Sequence, residues 1–125
     1  MPRPMRLIAL RGATTVELNE SAPILDATGE LMHELLERNG LEADDLVSCI
    51  FTLTEDLDAE FPAVAARQMG LSRVPLLCAR EIPVPGALPR VIRVLMHCYP
   101  PVGVDPQHVY LREAQKLRLD LEGAQ

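Results

Sequence analysis

Residues 74–98 read VPLLCAREIPVPGALPRVIRVLMHC. Two apolar runs, VPLLCA (74–79) and RVIRVLMHC (90–98), flank a segment that holds Pro83, Pro85, Gly86 and Pro89. Each run is short and bounded by turn formers, which is the signature of a strand. Proline cannot donate to a strand ladder, so the segment between them is an ordered loop or a sheet edge. The two strands are therefore not joined as a tight hairpin, and their partners lie elsewhere in the chain.

Working outward supplies those partners. RLIALRGA (6–13) reads as a buried strand running into a glycine turn, and 14–20 as a loop. From Ser21 the spacing becomes helical, with Ile24, Ala27, Leu31, Met32 and Leu35 on one stripe. Pro23 suits a first helical turn and Gly40 suits the position after the end. Residues 42–46 form a short helical turn, and VSCIFTLT (47–54) is a strand. Pro62 opens a short helix that reaches Gly70. After the second proline cluster (Pro100, Pro101, Pro106), HVYL (108–111) is a last short strand and REAQKL a helical turn. Residues 115–125 are expected to be a mobile C-terminal tail. The order β, long α, β, short α, β, β, β predicts one α/β (α+β) domain over 1–125, with a mixed sheet.

Composition narrows the function. A chain of 125 residues is one domain in size. Aromatic residues are 3% and Trp is absent, which removes the stacking platforms of base-binding modules. The net charge of -6 argues against a polyanion partner, so nucleic acid is excluded. No apolar run reaches membrane-spanning length. Cys49, Cys78 and Cys98 stand singly, as reduced thiols of a cytoplasmic protein do. Eleven of the twelve basic residues are arginine, the side chain whose planar fork suits carboxylates.

Phosphate-loop, nucleotide-fold, zinc-protease and serine-hydrolase motifs are all missing. His97 and Cys98 are adjacent on a strand and so point to opposite faces, which gives no shared metal site. Arginines inside apolar strands are the informative feature. Arg11 ends the first strand, and Arg93 lies within VIRVLM, where a charge is costly unless it meets a partner. Read singly, each residue has an ordinary explanation. Arg93 fits a solvent-facing strand position, Arg67 and Arg118 fit solvated surface, Glu81 an exposed strand end, Cys78 a core thiol, and Tyr110 an edge aromatic. Taken together they outline a pocket of guanidinium groups with one carboxylate, one phenol and no metal. Such a pocket suits a small dianion that carries a hydroxyl, in a reaction that needs positioning and electrostatics rather than a nucleophile.

RGATTVE (11–17), TEDLDAEFPAVAAR (54–67), the 74–94 stretch and HVYLREA (108–114) together resemble the monofunctional, trimeric, α/β-barrel-like chorismate mutases. The resemblance runs through nearly the whole chain with similar spacing. It implies a cofactor-free [3,3] rearrangement of chorismate to prephenate in a homotrimer whose sites lie between subunits. By the same resemblance, Arg93 is the cation at the ether oxygen and Arg11 grips the enolpyruvyl carboxylate with Tyr110. Glu81 accepts from the ring hydroxyl, with Cys78 beside it giving a backbone or thiol contact. Phe61 and Ala63 are apolar walls, and Leu76, Leu77 and Leu117 are further lining. Arg67 and Arg118 are outer cations. One subunit is expected to give Arg11, Arg93 and Tyr110, and its neighbour Phe61, Arg67, Cys78 and Glu81. Ile8, Val64, Leu77 and Leu119 depart from the family's usual residues. Two other readings are a small trimeric imine deaminase and a non-catalytic trimer that binds a small anion.

Overall fold

The computed structural model describes residues 6–118. Five strands form one sheet: β1 (Ile8–Thr15), β2 (Leu46–Leu53), β3 (Leu76–Arg80), β4 (Val91–Cys98) and β5 (Val109–Tyr110), in the order β3-β2-β4-β1-β5. β4 is central and antiparallel to both neighbours, while β1 pairs with β5 and β2 with β3 in parallel. The expected mixed sheet is therefore present. The proline-rich loop does not join neighbours: it carries the chain from the edge strand β3 past β2 to the centre.

The first strand runs two residues further than its sequence suggests. Thr14 and Thr15 were expected in a loop, but they pair with Ile92 and Val91 of β4. Both are β-branched and both are buried, so the ladder continues through them.

Two helices cover one face of the sheet. α1 (Ser21–Arg38) buries Ile24, Ala27, Thr28, Leu31, Met32 and Leu35, the predicted stripe with one threonine added. That threonine returns its hydroxyl to the Ile24 carbonyl at 2.7 Å, so its burial leaves no polar group unpaired. α2 (Ala63–Gln68) begins after Pro62 and buries Ala63, Ala65 and Ala66. Small residues there let the short helix lie close to its neighbours. On the strands, every second residue faces the helices: Leu10 on β1, Cys49 and Phe51 on β2, Ile92, Val94, Met96 and Cys98 on β4, and Val109 on β5. Burial pushes the Cys49 thiol up to about 12, with Cys98 adding to it, so this is a core group with no nucleophilic role.

Gly12 lets α1 sit close to β1. A side chain there would meet the Leu35 and Leu31 methyls at 2.8 and 3.1 Å and Val94 at 3.0 Å. Just past the C-terminus of α1, Gly40 has φ +62, which a side chain resists. Just before it the buried Asn39 donates to the Leu35 and Gln107 carbonyls, each at 2.9 Å, and accepts from the Gln107 N–H at 2.7 Å. One side chain thus ties the helix end to the segment that leads into β5 and Tyr110.

The predicted helical turn after β5 is present as a 3-10 turn (Arg112–Ala114) that continues as helix through residues 115–118. The rest of the expected tail, with Leu119, lies outside the described residues. No helix among the described residues is long and apolar enough to cross a membrane.

Candidate active site

The face of the sheet opposite the helices is open, and the alternate strand residues that point to it make the site. Arg11 on β1 stands opposite Leu95 on β4. Arg93 on β4 has Ala13 of β1 on one side and Thr52 of β2 on the other. Tyr110 on β5 is registered beside Ala13. These residues, with Ile50 and Glu81, line a concavity of about 330 Å³. Its floor at Ala13 is a single methyl group, which leaves the space between Arg93 and Tyr110 unfilled.

Glu81 arrives from the end of β3. Its N–H donates to the Leu53 carbonyl at 2.9 Å, which continues the β2–β3 register one residue past the strand. Its side chain then crosses β2, where one carboxylate oxygen accepts from the Thr52 hydroxyl. The other lies 3.4 Å from Arg93 Nε. The charge predicted to need a partner has one, and both belong to the same chain. This corrects the expectation that Glu81 comes from the neighbouring subunit: the Leu53 and Thr52 bonds bring it to the Arg93 side.

Arg11 is held through its backbone. Its N–H donates to His108 Nδ1 at 2.9 Å, which fixes that nitrogen as an acceptor and the ring as neutral. Partial burial lowers the His108 pKa, and the Arg11 charge lowers it further. A neutral imidazole leaves the local positive charge on Arg11, where an anion can use it.

The remaining expected site residues lie apart from this group. Phe61 and Cys78 line a second concavity of about 250 Å³, together with Leu53, Ala59 and Arg80. Phe61 is 67% exposed there, an unusual state for a phenylalanine with no covering partner on its own chain. Arg80 donates to the Thr54 and Leu57 carbonyls at 2.9 and 2.6 Å and so holds the segment that leads to Phe61. Arg67 is exposed on α2. Leu77 is 61% exposed and shares the open face with Ile50, whereas Leu76 packs toward the core. Ala63 is buried at the start of α2 and lines neither concavity within one chain. Arg118 borders a third groove beside Tyr110, and Leu117 is half-buried nearby. Thr52 and Ala13 were not singled out from the sequence. Each stands opposite Arg93 on a neighbouring strand, a register that no local sequence pattern reveals.

Fold and site together define a small mixed α/β protein that presents fixed guanidinium groups, a carboxylate and a phenol to a compact carboxylate-bearing molecule. The chain belongs to the chorismate mutase type I family, whose pattern it matches over residues 7–121. It is 56% identical over 118 residues to the chorismate mutase AroH of Thermus thermophilus, covering 93% of this chain and 97% of that one. It is 40% identical over 119 residues to chorismate mutase AroH of Bacillus subtilis (strain 168), covering 94% of each. A solved chorismate mutase from Clostridium thermocellum superimposes with a TM-score of 0.84 at 50% identity, covering 87% of this chain and 98% of that one.

Proposed function

We propose that this chain is a chorismate mutase in which Arg93 is the principal catalytic cation. The rearrangement to prephenate breaks the ether C–O bond as a new C–C bond forms, and all the electrons involved stay within the substrate. No proton has to be moved and no nucleophile is required. Negative charge grows on the ether oxygen in the transition state, so a cation fixed at that oxygen binds the transition state better than the substrate. The observation that carries this reading is the pairing of Arg93 with Glu81 on an open sheet face, 3.4 Å apart, with Arg93 inside β4 and Glu81 tied by its backbone to β2 one residue past β3.

In this reading Arg11 and Tyr110 hold the enolpyruvyl carboxylate, and Glu81 accepts from the ring hydroxyl. Phe61, Cys78 and Arg67 act on a neighbouring subunit's pocket, with Leu76, Leu77 and Ala63 behind them and Leu117 and Arg118 at the mouth. A homotrimer with sites between subunits is supported by what one chain leaves uncovered. Phe61, Leu77, Ile82 and Val84 are all well exposed and lie on the β3 side of the sheet. The protein works in the cytoplasm, without a cofactor. The test is loss of chorismate absorbance with purified protein and no added metal, beside sedimentation analysis. Prephenate formation by a trimer is the expected result; a trimer that forms none rejects the assignment.

A further inference from the structure

We propose that Thr52 is a positioning residue that holds the Glu81 carboxylate so that Arg93 stays free to face the substrate, an inference that rests on the reading of Arg93 above. Glu81 stands where the chain leaves an edge strand, and only its backbone N–H is bonded to the sheet. Its side chain has three torsions, the last of them soft. Two other arrangements are open to such a carboxylate. It can swing into solvent with the loop that follows, or it can close on the guanidinium in a two-point pair, the geometry arginine and carboxylate prefer. Either one spoils the pocket: the first removes the acceptor, and the second consumes the donors.

Thr52 blocks both. It lies directly opposite Arg93 in the β2–β4 register and beside Ala79 in the β2–β3 register, between the two charged groups. Its hydroxyl donates to one Glu81 oxygen. That leaves a single contact, from the other oxygen to Arg93 Nε at 3.4 Å. The terminal nitrogens of Arg93 have no partner among the described residues and remain available at the pocket wall. A β-branched side chain is stiff at χ1, so the hydroxyl's direction is set by the strand itself.

The test compares Thr52→Val, which removes the hydroxyl at nearly constant shape, with Thr52→Ser, which keeps it. A hydrogen bond to a charged group has a strength that makes a loss of about 10-fold in kcat the expected result for Thr52→Val. KM should change little, and Thr52→Ser should restore most of the rate. On a Glu81→Ala background the valine should cost nothing further, because the group it positions is gone. A packing role would give the same loss on both backgrounds and no serine rescue, and either result overturns the proposal. If the valine variant fails to fold, Thr52→Ala against Thr52→Ser makes the same comparison. A crystal structure of Thr52→Val decides the matter apart from the chemistry: the Glu81 carboxylate should either swing away from Arg93 or close on its guanidinium in a two-point pair, and an unmoved carboxylate overturns the idea. A wild type that makes no prephenate defeats the mutase assignment instead, and the carboxylate's position in the variant still tests this one.

Discussion

The two faces of the sheet are built from the same strands and differ in what they are asked to do. Toward the helices, β2 presents Cys49, Phe51 and Leu53, all buried. Toward the open side it presents Ser48, Ile50 and Thr52, all half-buried. β4 does the same with Ile92, Val94, Met96 and Cys98 on one face and Arg93, Leu95 and His97 on the other. The covered face is apolar because α1 and α2 exclude water from it. The open face combines charge with apolar surface, the character of a surface that binds rather than one that is merely solvated. One strand can therefore hold the fold together and carry the chemistry, because its residues alternate between the two tasks.

The separation of tasks can be broken in either direction. Arg93→Ala acts on the open face only. It should lower kcat by about 1,000-fold, the typical scale for a fixed transition-state donor, while the thermal midpoint stays near that of the wild type. Calorimetry beside the chorismate assay checks both halves. An equal collapse of stability would place Arg93 in the structural face instead.

Phe51→Ala acts on the covered face only. Phe51 is fully buried, and its truncation should cost about 3–5 kcal/mol in denaturant unfolding, with the surviving folded protein still active per molecule. Gly12→Ala tests the same face from the other side, by adding volume. The new methyl would meet Leu35 at 2.8 Å. The leucines can give way in part, so the expected cost is about 1–2 kcal/mol. Because Gly12 adjoins Arg11, any loss of activity beyond the loss of stability would show the two faces to be coupled there.

The smallest effect is at His108, where the faces meet at the sheet's edge. Its pKa is lowered in the folded protein from the ordinary value of 6.5, by burial first and by Arg11 second. The unfolded chain therefore binds a proton at higher pH than the folded one. Its contribution to stability is complete above pH 6.5 and is lost as pH falls from there through the folded pKa. His108→Asn keeps an acceptor for the Arg11 N–H without a charge, so its stability should fall less over that interval. Unfolding midpoints from pH 7 down to 5 measure it, and parallel curves for the two proteins would contradict the assignment.

The covered face was legible in the sequence because it depends on periodicity. The α1 stripe, the alternation in β4 and the stops at Gly40 and around Pro83 and Pro85 all appear as local pattern. Arg11 and Arg93 drew notice because a charge in an apolar strand stands out, whereas Tyr110 alone reads as an edge aromatic and entered only through the family resemblance. What escaped depends on register. Nothing local says that Thr52 lies opposite Arg93, or that Thr14 and Thr15 continue a ladder with residues far along the chain. The side of the pocket that Glu81 joins was missed for the same reason, since two bonds to β2 decide it.

The central place of β4 also sets a timetable for synthesis. β1 has two strand neighbours, β4 and β5, and both lie beyond residue 90. A ribosome that adds about 5–20 residues per second leaves β1 unpaired for roughly 4–15 s while residues 16–90 are made. During that time β2 and β3 can already zip together, but the edges meant for β4 stay open. The nascent chain is thus most exposed to misassociation just before β4 appears, and the strand that brings Arg93 is also the one that closes the facing edges of β1 and β2.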